Sequence, residues 1–146
     1  MTVRTIKDVT GSYLKALDQL DDKAVKSGLL ASAGTENIKK GIDNEFGVPR
    51  KRTPERSFVR STFDDEKENV TKRFEQIYEA INKGDFNVVS KLRAIGIEHA
   101  GKVKQKITDI KTPPNAPITI ALKGFDNPLI RTGEMRSKVS SEVINK

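Results

Sequence analysis

Residues able to do chemistry are sparse in this chain, and their spacing argues against catalysis. The one histidine, His99, falls between Ile95, Val103 and Ile107 at steps of four, on the apolar stripe of an expected helix. Its same-face neighbours Lys102, Gln105 and Lys106 are neither metal ligands nor carboxylates that could orient an imidazole. His99 therefore reads as a core or interface histidine with one nitrogen satisfied. Asp64, Asp65, Glu66 and Glu68 have a metal-binding composition, but they follow Thr62 at an expected helix start, where negative charge complements the helix dipole. The absence of cysteine removes thiol nucleophiles, disulfides and thiolate metal sites. Neither a G-x-S-x-G elbow nor a phosphate-cradling glycine loop is present. The expectation is a protein with no catalytic residues, no metal and no cofactor.

The strongest electrostatic feature is basic. Arg50, Lys51, Arg52, Arg56 and Arg60 crowd one proline-containing stretch, in a chain whose 27 Lys and Arg against 20 Asp and Glu give a net charge of +7. Such a field favours an acidic partner. The cluster can be read as a contact with nucleic-acid phosphates, salt-dependent and indifferent to sequence, or as a dock for an acidic protein rim. It can equally be a solvated loop.

These residues must be positioned by a modest core, because hydrophobic residues make up 35% of the chain and charged ones 32%. At 146 residues a single domain is expected, with part of its interior completed by neighbouring subunits. Ile6, Val9, Tyr13, Leu14, Leu17 and Leu20 recur at helical spacing, so a first helix is expected to reach Asp22, with Thr5 or Asp8 near its start. Residues 24–34 fit either a continuation of that helix or a short buried strand, and helix is the preferred reading. Thr35 is placed to cap a helix through Ile38, Ile42 and Phe46, stopped by Gly47 and Pro49. Residues 48–57 are then an extended, mobile basic loop.

Thr62 is expected to cap the next helix, with Phe63, Val70, Phe74, Ile77 and Ile81 as its stripe and Gly84 at its end. Asp85 then caps a helix carrying Val88, Leu92, Ile95, His99, Val103, Ile107 and Ile110 on one face. These two helices over residues 62–110 form an antiparallel pair. Gly96 and Gly101 each cost that helix about 1 kcal/mol relative to alanine, which predicts close approach of another backbone. Residues 112–117, with three prolines, form a stiff linker, and residues 118–123 a short helical turn. No stretch is long and apolar enough to span a bilayer, and the N-terminus lacks a signal-type apolar run, so a soluble protein made in a reducing cytosol is expected.

The C-terminal stretch is ordered by its own residues. Asn127-Pro128 initiates a turn, Leu129 and Ile130 anchor it, Thr132 can cap a helical turn, and Gly133 permits a sharp change of direction. Lys138, Ser140 and Glu142 then alternate with Val139, Ser141 and Val143 at strand period.

The run Pro128-Leu129-Ile130-Arg131-Thr132-Gly133-Glu134-Met135, followed by this strand, resembles the C-terminal signature of small tail-component and neck proteins of tailed bacteriophages, P-L-[IV]-D-T-G-x-[LM]. Arg131 stands where that family has aspartate. A second block, Asn44-Glu45-Phe46-Gly47 and then Pro54-Glu55-Arg56-Ser57-Phe58-Val59-Arg60, resembles the family's x-E-F-G and P-x-R-P-F-[LM]-R pair, with Ser57 in place of proline. The resemblance covers roughly residues 37–146.

It implies an α+β domain, a long antiparallel helical pair on a small β-sheet that includes the C-terminal strand. It also implies a virion structural protein of the head–tail junction, present in the host cytoplasm during assembly. Several copies would surround the tail axis as a homo-oligomer and join connector or head-closure proteins to the tail tube or tail terminator, with passing contact to DNA and no membrane. Tail terminator and minor tail protein are alternatives within the family, and a free basic nucleic-acid-binding protein is the alternative outside it. The contact residues expected are Arg50, Lys51, Arg52, Arg56, Phe58 and Arg60 in the first block, and Pro128, Leu129, Ile130, Arg131, Thr132 and Met135 in the second.

Overall fold

The computed structural model describes residues 3–146, with side chains from residue 9 onward. In chain order the elements are α1 (Val3–Asp22), β1 (Lys23–Gly28), α2 (Thr35–Phe46), α3 (Val59–Asn82), α4 (Val88–Asp109), α5 (Pro117–Lys123), α6 (Glu134–Ser137) and β2 (Ser140–Asn145). Short 3-10 turns occupy Ala31–Ala33 and Pro49–Lys51. The architecture is α+β, with long helices packed on a two-stranded antiparallel sheet that includes the C-terminal strand.

α4 is the spine. Its apolar positions Val88, Leu92, Ile95, Val103 and Ile107 are all buried, as their helical spacing requires. Toward its N-terminal half they pack with Ala16 and Leu20 of α1 and with Ile77 and Ile81 of α3. Farther along, Ala100, Val103 and Ile107 pack with Phe58, Leu129, Met135 and Val139. Exposed Val9 and Leu14 are not part of α1's packed face, which is Tyr13, Ala16, Leu17 and Leu20. Met1, Thr2, and the side chains of Thr5, Ile6 and Asp8 lie outside the described residues.

Residues 23–28 are a strand rather than a helical continuation. β1 gives β2 its antiparallel partner, in a register from Lys23↔Asn145 to Gly28↔Ser140. A lone terminal strand would leave its ladder groups unpaired, so this long-range pairing overrides local propensity. Lys26 lies opposite Glu142 in the register, with no ion pair closed between their side chains. The sheet presses on α4 at Gly96, where an added Cβ would stand 2.9 Å from the Ser141 side chain and 3.0 Å from Val25. The expected approach of another backbone is not what crowds Gly96: side chains of both strands do, because the sheet lays Ser141 and Val25 against this turn of α4. At Gly101 an added Cβ would meet open space.

Helix starts also differ from the local expectation. α2 begins directly after Gly34, and Thr35 gives no side-chain cap. α3 starts at Val59, so Thr62 is inside the helix and buried, its hydroxyl donating to Phe58 O at 2.6 Å. Asp65 and Glu66 consequently fall beyond the first turn, where they pair across to Lys106 and Lys102 of α4, while Arg73 meets Glu98. Asp85 lies in the connecting turn, accepting the Asn87 N–H at 3.1 Å and pairing with Lys91. Among the described residues no helix is long and apolar enough to cross a membrane.

Candidate contact surfaces

The basic stretch is a built hairpin rather than a mobile loop. Val48 and Thr53 exchange backbone hydrogen bonds at 2.8 and 3.2 Å around the 3-10 turn, and Arg52 closes it in the left-handed region at φ 54°. Gly47 enters at φ 71°, where an added Cβ would stand 2.8 Å from Glu55 N, so only glycine fits. The tip presents Arg50, Lys51 and Arg52 to solvent, and Lys51 pairs with Asp43 at 3.0 Å.

Arg56 points inward. At 6% exposure it donates Nε to Pro113 O at 2.7 Å and Nη2 to Pro114 O at 3.0 Å, while its own N–H reaches Asn44 O at 2.7 Å. Burial lowers its pKa, and Asp126 opposes that shift. Phe58 is 1% exposed, within the core. These two side chains bind the chain to itself. Arg60 remains half exposed, held by Glu45 and Glu55 at 3.0 and 2.6 Å and lying 4.7 Å over the Phe46 ring.

The group that organises this region is Glu45, which the sequence reading passed over. Its carboxylate accepts the N–H groups of Phe58, Val59 and Arg60 at 2.8, 2.9 and 3.0 Å, and the Ser57 hydroxyl at 2.8 Å. It therefore caps α3 from another helix, filling the role of a local N-cap side chain. Burial works to raise its pKa, yet the Val59 and Arg60 N–H groups, the Ser57 hydroxyl and the Phe58 N–H hold it below the usual carboxylate value.

The second block divides in the same way. Leu129 and Met135 are buried beside α4, while Arg131 and Thr132 are exposed. Ile130 is half-buried, its N–H closing the turn onto Asn127 O at 3.2 Å. Thr132 accepts the Glu134 N–H at 3.3 Å from one residue outside the cap position, which Gly133 takes at φ 78° with no side-chain cap of its own. Glu134 in turn accepts from buried Asn37 of α2 at 3.0 Å. Pro128, Arg131 and Thr132 thereby face Asn37, Lys40 and Asn44 across a cleft of about 430 Å³. The fold brings together at α2 the two blocks that are far apart in sequence. Of the expected contact residues, Arg50, Lys51, Arg52, Arg60, Arg131 and Thr132 are exposed.

His99 donates to or accepts from Ser27 Oγ through Nδ1 at 2.5 Å, and its buried Nε2 has no hydrogen-bond partner among the described residues. Burial lowers its pKa, with Glu66 opposing. No cluster of described residues has the composition and proximity to hold a metal ion. Comparison of the chain with protein-family models, curated proteins and solved structures gave no match.

Proposed function

We propose that this chain is a structural subunit of a tailed-bacteriophage virion, a neck or tail-completion component that joins the tail to the connector. What supports this reading is the resemblance of residues 44–60 and 128–137 to that family's two blocks, together with their approach at α2, where Asn44 lines the same cleft as Pro128, Arg131 and Thr132. Arg56 of the first block also lies within electrostatic reach of Asp126, two residues before the second. Several copies surround the tail axis in this reading, and the work is assembly by surface complementarity, without turnover. Immunogold electron microscopy of purified particles tests it. Gold at the head–tail junction is the expected result, and gold at the distal tip would move the role to a minor tail component. Particles that carry none of the chain by blot would end the virion reading.

One observation favours a second reading, a basic protein that binds nucleic acid without sequence preference. The hairpin tip exposes Arg50 and Arg52, neither with a carboxylate in ion-pair contact among the described residues. Phosphate contacts by the tip would give a steep loss of DNA affinity with salt, a log–log slope of about −0.9 per neutralised phosphate. Retention of duplex DNA that does not change between low and moderate salt counts against it.

A further inference from the structure

Two apolar features of this chain are left without partners, and they lie in different places. The first is a trough of about 640 Å³ between β1 and α3. Both rest on α4 but diverge from each other, so α4 supplies the floor with Ile95 and His99, α3 one wall with Phe63 and Phe74, and Val25 and Leu30 the other. Phe63 is 55% exposed there, despite its place on α3's expected apolar stripe. The second feature is α5, which packs substantially on no other element. Ile118 and Leu122, one turn apart on it, are 71% and 83% exposed, with Phe125 just beyond. Apolar side chains of this size, left outward on a short helix held by a proline-rich linker, cost solubility unless something covers them.

We propose that α5 of one copy seats in the trough of another, a head-to-tail contact between copies of this chain. The charges agree with this pairing. The trough lips carry Asp64 on α3 and Lys26 on β1, neither with an ion-pair or hydrogen-bond partner among the described residues. The root of α5 carries Lys123, whose Nζ donates to Asn127 O at 2.7 Å, with Arg131 and Asp126 within its electrostatic reach, and Asp126 accepts from Asn115. Asp64 can therefore face Arg131, which is exposed and has no ion-pair or hydrogen-bond partner among the described residues, while Arg60, a further cation lining the trough, is already held by Glu45 and Glu55. Because the arm and the trough are different surfaces, the contact is heterologous, so every added copy leaves a free arm and a free trough, and growth ends only if the ring closes. The contact rests on these surfaces and not on the virion reading, which particle localisation tests separately.

Sedimentation velocity of the purified full-length chain, at concentrations up to about 1 mM, tests it. The wild type is expected to form species beyond a dimer. Leu122→Asp disables the arm and Phe63→Asp disables the trough, and each variant alone should be monomeric. Both sites are exposed, so each variant should keep the wild-type circular dichroism spectrum. An equimolar mixture of the two should give dimers and nothing larger, because one intact arm then meets one intact trough. As a second readout in this cysteine-free chain, Leu122→Cys and Phe63→Cys together should give a ladder of oxidised oligomers, and the two single variants mixed should give only dimers. A monomeric wild type at every concentration, unchanged association in either Asp variant, or a mixture that stays monomeric overturns the proposal.

Discussion

Glu45, near the C-terminal end of α2, accepts the backbone N–H of Phe58 at 2.8 Å, thirteen residues further on at the head of α3. The carboxylate also holds the next two N–H groups, so the start of the longest helix depends on a residue of another element. Glu45→Ala should destabilise the fold by about 2–3 kcal/mol, since a cap is lost and N–H donors are left unpaired. Arg60→Ala, which removes a half-exposed partner, should cost about 1 kcal/mol or less. Urea unfolding of both variants checks the order. The folded Glu45 pKa lies below 4.5, so its contribution is full above about pH 4.5 and is lost as pH falls through the folded value. Equal costs for the two variants would mean that the ion pair, and not the cap, matters.

His99 should make its own, separate contribution to the pH dependence. Its folded pKa lies below 6.5, so the unfolded chain takes up the proton more readily. Stability is therefore full above about pH 6.5 and falls as pH drops below it, well before Glu45 titrates. Melting temperatures between pH 8 and 5 should decline in the wild type and flatten over that window in His99→Phe. An identical decline in both would assign it to other groups.

The two helical glycines of α4 should respond with opposite signs. Gly96→Ala places a methyl group against Ser141 and Val25, and displacing the sheet should cost about 1–3 kcal/mol, more than the helix gains. Gly101→Ala meets open space and should stabilise by up to about 1 kcal/mol. Thermal denaturation of the pair decides it, and stabilisation by Gly96→Ala would show that the sheet is free to move away from α4.

Changing Arg50, Lys51 and Arg52 together to Ser should leave the melting temperature nearly unchanged, because all are exposed and the Lys51–Asp43 pair contributes about 0–1 kcal/mol. Under the proposed virion role, the same variant should leave heads and tails made but unjoined in a phage assembly assay. Normal infectious yield would remove the hairpin tip as a contact.

The segments legible in sequence were those whose signal is local and periodic. The α4 stripe from Val88 to Ile107 could be read from its spacing, as could the stop of α2 at Gly47 and the Thr132–Gly133 turn, because helical period and glycine stereochemistry need no distant partner. The composition and spacing of residues 24–34 favoured a helical continuation over a strand, and that preference was wrong. Pairing with residues at the far end of the chain decided for the strand, since a strand is stable only through its neighbour. The start of α3 was misplaced for a related reason: Thr62 is a cap by type, but the carboxylate that does the capping comes from α2. The same holds for the basic cluster, where charge gave all the arginines one apparent role. Tertiary packing turned Arg56 inward onto the carbonyls of Pro113 and Pro114 and left Arg50 and Arg52 outside. Sequence alone determined which residues could be apolar, charged or turning. Which of them met was set by long-range contacts, whose free energy depends on positions that no local pattern encodes.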